Sequence, residues 1–425
     1  MDFRGFCLVL TLQKSFMKLR ISPPENLQLN SSIEITGSKS ETNRLLLLQA
    51  LFPTIGLENI SNSDDADVMQ KGLATSKGTV DIHHAGTAMR FLTSYFASQD
   101  GKEVLLTGSS RMKQRPIKIL VDALNVLGAE IKYAGEEGYP PLQIKGRQLS
   151  KDEVDLPANI SSQYISSLCL IGPSLVNGLT INLIGKITSV PYIKMTLALL
   201  KATGIKTEFK GNKIHIYPKK EVASTTMVVE SDWSAASYYY SLIALADEGA
   251  TVTLSAYKAD SLQGDSILSE IYEVFGVSTV FKTNEIVLTK TQSPTLSFFE
   301  YDLSNAPDIA QTIAVTCLGL GMDCHLTGLH TLPIKETDRL AAMKVELEKF
   351  GAGVSIDEES LKLNSTKNYL ENVAVDTYND HRMAMAFAPL ALKVGFIVND
   401  AQVVSKSYPD FWKDFEKIGL LISEL

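Results

Sequence analysis

Four segments of the chain combine an amphipathic helix pattern with a glycine stop. In each, apolar residues recur every three or four positions, a glycine follows, and two short apolar runs come after it. This spacing predicts a helix with one buried face, ended by the glycine and followed by a pair of strands. The predicted helices span 117–127, 197–203, 267–275 and 340–350. Their glycines recur every 72 to 76 residues, which indicates an internal repeat.

Six further segments are apolar and carry few or no charges after their first turn. A helix that is apolar on every side is buried all round, and these segments are too short or too interrupted to span a membrane. They cover 45–51, 88–96, 164–171, 233–246, 309–322 and 383–392. The two series interleave, so the chain is predicted to consist of six units of roughly 70 residues.

A short polar segment precedes each of these buried helices. The six segments are Gly37-Ser38-Lys39-Ser40, His84-Ala85-Gly86-Thr87, Ser161-Ser162-Gln163, Ser231-Asp232, Pro307-Asp308 and Asp380-His381-Arg382. Parallel helices would bring these N-termini together, where free backbone N–H groups and the helix dipoles attract anions. We therefore expect two domains of three units each, with an anion site between them. Taken alone, Ser161 and Asp232 are better explained as helix caps.

The charge balance narrows the ligand class. The 40 Lys and Arg against 48 Asp and Glu give a net charge of −8, which excludes a general nucleic-acid or anionic-membrane binder. Cations nevertheless collect in or near the polar segments, which indicates a small ligand with several negative charges. They are Lys39, Arg44, Arg111, Lys335, Arg339, Arg382 and Lys406. We interpret three neighbouring cations, Arg90, Lys113 and Arg115, as solvated surface charges.

Several common chemistries lack their sequence marks. The four cysteines and six histidines show no metal-ligand spacing, so we expect no metal site and a reduced, intracellular chain. The phosphate-binding loop, the dinucleotide fingerprint and the nucleophile elbow are absent from the sequence. Residues 1–16 are interpreted as a disordered extension or as the result of a start codon placed too early.

Two carboxylates are candidates for proton transfer. Asp308 follows a proline and precedes an uncharged helix, so burial should raise its pKa while nearby cations lower it. Glu336 shares a helix face with Arg339, and a structural ion pair explains it as well as a catalytic role does. Asp308 is therefore the stronger candidate for a base.

At this level of detail the chain, from about Lys18 onward, resembles the 5-enolpyruvylshikimate-3-phosphate synthase family, the 3-phosphoshikimate 1-carboxyvinyltransferases. Six blocks in matching order carry the resemblance. They are Gly37-Ser38-Lys39-Ser40 with Asn43-Arg44, Ala85-Gly86-Thr87-Ala88-Met89-Arg90, Arg111-Met112-Lys113 with Arg115-Pro116, Ser161-Ser162-Gln163, Lys335-Glu336-Thr337-Asp338-Arg339, and Asn379-Asp380-His381-Arg382-Met383-Ala384-Met385.

The resemblance implies a two-domain inside-out α/β barrel in which each domain holds three βαβαββ units around buried parallel helices. One domain would comprise residues 1–36 plus 230–425 and the other residues 37–229, with the active site in the cleft between them. The chain would cross between the domains near 36–38 and again near 229–231. A monomer in the cytoplasm is also expected from the resemblance.

The implied reaction joins phosphoenolpyruvate to shikimate 3-phosphate and releases phosphate without a cofactor. By motif, Asp308, Glu336 and Lys39 would be catalytic. The shikimate 3-phosphate site would comprise Lys39, Ser40, Arg44, Ser161, Ser162, Gln163, Ser189, Asp308 and Lys335. The phosphoenolpyruvate site would comprise Lys39, Gly86, Arg111, Gln163, Arg339, Arg382 and Lys406.

The sequence departs from the usual family pattern in four places. Thr36 replaces a proline, Phe91 stands where many members have proline, and Thr331-Leu332-Pro333 replaces a more polar stretch. His84 replaces an asparagine that contributes to the phosphoenolpyruvate side. Imidazole can still donate a hydrogen bond, so we expect activity to be retained.

Two other functions remain open from the sequence. The related enolpyruvyl transferase that acts on UDP-N-acetylglucosamine usually carries a catalytic cysteine in a glycine-rich mobile loop. None of Cys7, Cys169, Cys317 and Cys324 lies in such a loop. A two-domain anion-binding protein without catalysis would need the cations but neither Asp308 nor Glu336.

Overall fold

The computed structural model describes residues 17–24, 30–159 and 161–425, and the expectation for residues 1–16 lies outside this range. The described chain is a mixed α/β fold. Its helices are α1 Lys39–Leu51, α2 Asp64–Ala74, α3 Gly86–Ser98, α4 Lys118–Val126, α5 Ser162–Ile171, α6 Val190–Ala202, α7 Trp233–Leu245, α8 Leu268–Ile271, α9 Ala310–Leu320, α10 Arg339–Lys349, α11 His381–Phe387 and α12 Phe411–Ile418.

The strands are short, mostly of four to six residues. They are β1 Leu19–Ser22, β2 Asn30–Ile33, β3 Ile55–Glu58, β4 Lys77–Asp81, β5 Glu103–Thr107, β6 Glu130–Tyr133, β7 Leu142–Lys145, β8 Glu153–Pro157, β9 Leu179–Ile184, β10 Thr207–Lys210, β11 Lys213–Ile216, β12 Thr225–Val228, β13 Thr251–Ser255, β14 Val277–Lys282, β15 Glu285–Lys290, β16 Phe298–Asp302, β17 Asp323–Thr327, β18 Gly353–Ile356, β19 Leu361–Asn364, β20 Ala374–Val375, β21 Phe396–Val398 and β22 Leu421–Glu424.

Five four-stranded sheets share one topology, in which a parallel pair is extended by two antiparallel strands. Their strand orders are β4-β5-β7-β6, β8-β9-β11-β10, β2-β13-β15-β14, β16-β17-β19-β18 and β20-β21-β1-β22. A sixth sheet within the described residues is the parallel pair of β3 and β12. In the last four-stranded sheet, β1 lies between β21 and β22, so it joins both ends of the described chain.

The buried apolar side chains form two separate cores. One core draws on residues 19–35 and 233–420, and helices α7, α9 and α11 lie within it. The other draws on residues 45–229 and contains α1, α3 and α5. Three sheets therefore surround three buried helices in each core, which is the arrangement that the repeat predicted.

The glycine-stopped helices form at three of the four predicted places, as α4, α6 and α10. Gly128, Gly204 and Gly351 follow them with φ values of 105°, 78° and 95°, a conformation that L-residues with a Cβ rarely adopt. Each is followed by an antiparallel strand pair.

The predicted helix over 267–275 is confirmed only over α8, Leu268–Ile271. A 3₁₀ turn over 264–267 leads into α8, which ends at Ile271. The chain then continues in i→i+3 turns, with the N–H of Phe275 donating to the carbonyl of Tyr272. These turns keep the three-residue spacing, so Leu268, Ile271, Tyr272 and Phe275 still face the core.

The two segments at which the chain passes between the cores pair with each other. Gly37 and Ser231 form an isolated antiparallel bridge, and the N–H of Ser38 donates to the carbonyl of Glu230 at 2.7 Å. A Cβ on Gly37 would lie 1.9 Å from the carbonyl oxygen of Asn59, so only glycine fits here. Across residues 17–24, 30–159 and 161–425, no helix has both the length and the apolar character needed to cross a membrane.

Candidate active site

The N-terminal ends of the six buried helices meet at two cavities that have Lys39, Ser40, Tyr192 and Arg382 in common. The larger cavity is lined at the start of α1, α3, α5 and α11 and by Asp308, just before α9. The smaller one is lined by Asp232 and Ser234 at the start of α7. The predicted convergence of helix N-termini is therefore confirmed.

These helix ends differ in how their backbone N–H groups are used. The side chain of Ser161 caps α5, and that of Asp380 caps α11 by accepting from the N–H of Arg382 at 2.9 Å. Among the described residues, no side chain caps α1 after Ser38 or α3 after Ala85. The first N–H groups of α1 and α3 are therefore available to an anionic ligand.

Asp308 is the most heavily contacted carboxylate of the larger cavity. Its Oδ1 lies 2.8 Å from Nη1 of Arg339 and 3.3 Å from Nζ of Lys335. Its Oδ2 accepts a hydrogen bond from the hydroxyl of Tyr192 at 3.0 Å and lies 3.5 Å from Nη2 of Arg382. Three cations and one hydroxyl thus surround a carboxylate at the mouth of a buried helix.

The electrostatics of Asp308 follow from this surrounding. Burial alone would raise the pKa of Asp308, but Lys335, Arg382 and Arg339 together hold that pKa well below its usual value. Asp308 is therefore ionised beside these three cations. Any ligand that draws these cations away will make it a stronger base.

Arg339 is the centre of a second group of carboxylates. It is only 2% exposed, and its Nε donates to Oδ2 of Asp380 at 2.7 Å. Its Nη2 donates to Oε2 of Glu336 at 3.0 Å. Burial would raise the pKa of Glu336, but Arg339, Arg115 and other cations hold it well below the usual value. Glu336 is thus also ionised.

The lysines and Arg44 are held in different ways. Nζ of Lys39 lies 3.4 Å from Oδ2 of Asp65, a buried carboxylate in α2. Nε of Arg44 donates to Oγ1 of Thr196 at 2.8 Å, and burial lowers the pKa of Arg44 to about 10. Lys406 donates to the carbonyl of Asn379, and burial lowers its pKa as well.

Most of the residues expected from the sequence line the larger cavity. They are Lys39, Ser40, Arg44, Gly86, Ser161, Ser162, Gln163, Ser189, Asp308, Lys335, Glu336, Arg339 and Arg382. Arg111 and Lys406 instead line an adjoining cavity, which has Arg115 and Glu336 in common with the larger one. The guanidinium of Arg111 donates hydrogen bonds to the carbonyls of Lys335 and Glu336, each at 3.3 Å.

His84 also lies in the adjoining cavity, where its Nδ1 is 2.9 Å from Oγ of Ser109. The ring is exposed and lines the same space as Arg111 and Lys406. The substituted position thus faces the side of the site where the resemblance puts phosphoenolpyruvate.

The interpretation of Arg90 as a solvated charge is wrong. Arg90 is only 4% exposed, and its Nη2 donates to the carbonyl of Pro116 at 3.1 Å. Arg115 lines the larger cavity, and its Nη1 would lie 2.5 Å from a Cβ built on Gly86. Both arginines lie in blocks that carried the resemblance, so the motif was the signal available for them. His381 also lines the cavity and lies in a block that carried the resemblance, whereas Tyr192 and Asp65 line it without a local pattern that marks them.

Comparisons with known proteins agree with this geometry. A sequence model described as EPSP synthase (3-phosphoshikimate 1-carboxyvinyltransferase) matches residues 54–415. A 3-phosphoshikimate 1-carboxyvinyltransferase of Bacteroides fragilis strain YCH46 is 43% identical over 408 residues, covering 95% of this chain and 98% of its own. The protein of that name from Haemophilus influenzae strain Rd is 34% identical over 428 residues, covering 92% and 96%.

Solved structures show the same fold. An EPSP synthase structure from Acinetobacter baumannii superimposes with a TM-score of 0.77 at 21% sequence identity, covering 96% of this chain and all of that one. Its match extends the two-domain α/β architecture to nearly the whole molecule. With the family match and the close relatives, this places the chain in the EPSP synthase (3-phosphoshikimate 1-carboxyvinyltransferase) family.

Proposed function

We propose that this chain transfers the enolpyruvyl group of phosphoenolpyruvate to the 5-hydroxyl of shikimate 3-phosphate and releases inorganic phosphate. The observation that carries the proposal is the position of Asp308, a carboxylate held by three cations in a cavity that uncapped helix N-termini and Lys39 also line. Two phosphates and two carboxylates must be held together in this reaction, and such a cavity can neutralise them.

The proposed reaction has an addition step and an elimination step. The 5-hydroxyl gives its proton to Asp308 while its oxygen bonds to C2 of phosphoenolpyruvate and C3 takes a proton. The resulting tetrahedral intermediate then loses the proton from C3, and the bond from C2 to the phosphate oxygen breaks. The double bond re-forms, and phosphate leaves with the electron pair of that bond. The group that protonated C3 takes that proton back, and the proton held by Asp308 passes to the departing phosphate.

Substrate binding itself would activate Asp308. We assign the carboxylate of phosphoenolpyruvate to Arg339 and Arg382, which both contact Asp308. A bidentate carboxylate on these guanidiniums would compete with Asp308 for their charge. The pKa of Asp308 would then rise toward the range in which a carboxylate accepts a proton.

The remaining contacts follow the same logic. We assign shikimate 3-phosphate to Lys39, Ser40, Arg44, Ser161, Ser162, Gln163, Ser189, Asp308 and Lys335. For phosphoenolpyruvate we assign Lys39, Gly86, Arg111, Gln163, Arg339, Arg382 and Lys406, and we add Arg115 because it lines the larger cavity beside Gly86.

The proton for C3 needs a separate source. Glu336 is ionised beside Arg339 and Arg115, so it can deliver a proton only after receiving one. Lys39 lines the same cavity, and its charge acts on Glu336. Burial lowers the pKa of Lys406, which makes its ammonium a better acid. We propose that one of these lysines supplies the proton, directly or through Glu336.

The two cores support a division into a domain of residues 1–36 plus 230–425 and a domain of residues 37–229, with the active site in the cleft. Closure of this cleft would exclude water from the tetrahedral intermediate. We also propose that the enzyme is a monomer and acts in the cytoplasm. Light scattering of the purified protein tests the first of these two properties.

Acceptor choice separates this proposal from its rivals. The purified protein is mixed with phosphoenolpyruvate and either shikimate 3-phosphate or UDP-N-acetylglucosamine, and released phosphate is measured. We expect release with shikimate 3-phosphate alone, and its absence would overturn the proposal. The enolpyruvyl transferase that acts on UDP-N-acetylglucosamine usually uses a catalytic cysteine in a mobile loop. Cys169, Cys317 and Cys324 are buried, so none of these three can take that role. A non-catalytic binder would release phosphate with neither acceptor.

A further inference from the structure

We propose that Asp265 is a positioning residue that acts on Arg382 through the hydroxyl of Ser234. Asp265 lies in the 3₁₀ turn over 264–267, is 5% exposed and lines the smaller of the two cavities. Ser234 donates its hydroxyl proton to Oδ2 of Asp265, and Oγ of Ser234 accepts from Nη2 of Arg382 at 3.1 Å. The inference rests on the proposed function, in which Arg382 binds the carboxylate of phosphoenolpyruvate.

The direction of this chain of hydrogen bonds is set by Asp265. A serine hydroxyl has one proton, so its donation to a carboxylate leaves only lone pairs to face the next group. Arg382 offers donors and no acceptor. The carboxylate of Asp265 therefore fixes Ser234 as an acceptor for Arg382.

Arg382 needs such an anchor at the moment of reaction. Within the described part of the chain, the other hydrogen-bond and ion-pair partners of its guanidinium are the carbonyl of Asp308, at 3.1 Å from Nη1, and the carboxylate of Asp308, at 3.5 Å from Nη2. In the proposed mechanism that carboxylate gives up the arginine and takes a proton. Ser234 and the backbone carbonyl then remain to hold the guanidinium in place.

Asp265 is kept at this position at some cost in stability. Among the residues that the structure describes, no group donates a hydrogen bond to its Oδ1, which is buried. Burial and then the nearby charge of Asp308 raise the pKa of Asp265 to about 6, while Arg382 and the Ser234 hydroxyl lower it. A partly satisfied buried carboxylate next to another one is unfavourable for folding, so a role in the site is the simpler explanation for it.

The segment that carries Asp265 is itself fixed from both cores. Gln263 accepts from the N–H of Trp233 at 3.0 Å through Oε1, and its Nε2 donates to Oε1 of Glu41 at 3.1 Å. Gly264 lies so close to Pro191 that a Cβ on it would come within 2.9 Å of the proline ring. Asp265 is therefore presented to Ser234 from a rigid support.

Steady-state kinetics of Asp265→Asn, Ser234→Ala and the double variant test the proposal. We expect each single variant to raise the KM for phosphoenolpyruvate about tenfold, as for the loss of a charge-assisted hydrogen bond, with kcat and the KM for shikimate 3-phosphate within about twofold of wild type. The double variant should be no worse than the single ones, since both residues act in one chain. Asp414→Asn, another buried carboxylate in the same core, is the matched control and should leave both KM values unchanged.

The outcomes distinguish a failure of the proposed function from a failure of the role of Asp265. If wild type does not release phosphate, the proposed function fails. If wild type is active and Asp265→Asn has an unchanged KM for phosphoenolpyruvate, or if the two single effects multiply in the double variant, the role of Asp265 is overturned. An equal rise in both KM values together with a lower unfolding midpoint would show a purely structural role and would overturn it too.

Discussion

The hydroxyl of Tyr192 donates a hydrogen bond to the carboxylate of Asp308 at 3.0 Å, although the two residues are supported by different hydrophobic cores. Tyr192 lies in α6, and the next residue, Ile193, packs in one core. Asp308 precedes α9, and the first residues of α9 pack in the other core. The environment of the proposed base therefore includes a group from the opposite domain. Its proton affinity depends on how close the two domains are.

The first prediction concerns Asp308 as the base. Asp308→Asn keeps the size of the side chain but cannot accept the hydroxyl proton, so kcat should fall by about a thousandfold, within the range for loss of a general base. Phosphate release under saturating substrates measures it. A wild-type rate would remove Asp308 from the mechanism.

The second prediction concerns the pH profile. The hydroxyl of Tyr192 lowers the pKa of Asp308. Tyr192→Phe should therefore raise that pKa in the substrate complex as well, and move the acid limb of the kcat profile to higher pH. Rates measured between pH 5 and 9 test this. Tyr217→Phe removes a hydroxyl that bonds Glu208 far from the cavity and should leave the profile in place. Identical profiles for wild type and Tyr192→Phe would contradict the prediction.

The third prediction concerns Lys39, which has proposed roles toward both substrates and in the protonation of C3. Lys39→Ala should abolish measurable turnover, because the variant loses a phosphate ligand and a proton source together. Lys213→Ala removes an exposed lysine that pairs with Glu153 at 3.0 Å and serves as the control, with unchanged turnover. Equal activity of the two variants would exclude Lys39 from the reaction.

The fourth prediction concerns stability. Arg339 is buried and contacts Asp308, Glu336 and Asp380, so Arg339→Met would leave carboxylates without their shared partner. The free energy of unfolding should fall by about 3–5 kcal/mol, as for a broken buried ion pair. Urea denaturation measures it, and Arg20→Met, at an exposed position of β1, should change it by less than about 0.5 kcal/mol. A small effect of Arg339→Met would mean that the carboxylates become protonated or hydrated at little cost.

The fifth prediction uses Glu41, which is 4% exposed and accepts hydrogen bonds from Gln263 and from the N–H of Glu230. Burial, and next the charge of Glu230, raise the pKa of Glu41 from 4.5 to about 7. The native state thus holds this proton more tightly than the unfolded state, and its stabilising effect is lost as the pH rises from about 4.5 to 7.

Glu41→Gln removes this titration. Relative to wild type, the variant should therefore gain on the order of 3 kcal/mol in the free energy of unfolding between pH 5 and pH 8. Denaturation of both proteins at the two pH values gives this difference directly. The same stability difference at both pH values would show that Glu41 does not titrate in this interval.

The sequence pattern predicted the elements that local spacing controls. The six buried helices and three of the four glycine-stopped helices are present because an apolar period and a glycine at positive φ are properties of neighbouring residues. The segment after Ile271 fails this rule because 3₁₀ turns bury the same side chains at the same spacing. Apolar spacing alone does not distinguish the two.

The site was predicted less completely, since charge burial depends on distant partners. Arg90 lies in the segment 88–96 that was predicted to be buried, but one of the carbonyls that its guanidinium contacts, that of Pro116, is 26 positions away. The place of Tyr192 in the site likewise depends on its hydrogen bond to Asp308, 116 positions away. Contacts of this length are set by how the sheets and domains pack, which a reading along the chain does not contain.

The placement of β1 between β21 and β22 has a consequence for how the chain folds during its synthesis. On the ribosome, the stretch from 37 to 229 is finished while most of its partner domain has yet to be translated, and its core needs nothing from later residues. The sheet that holds β1 can close only after Leu421–Glu424 has emerged. The nascent chain must therefore keep β1 without its partners in this sheet until Phe396–Val398 and then Leu421–Glu424 have been made, long after residues 37–229 can fold.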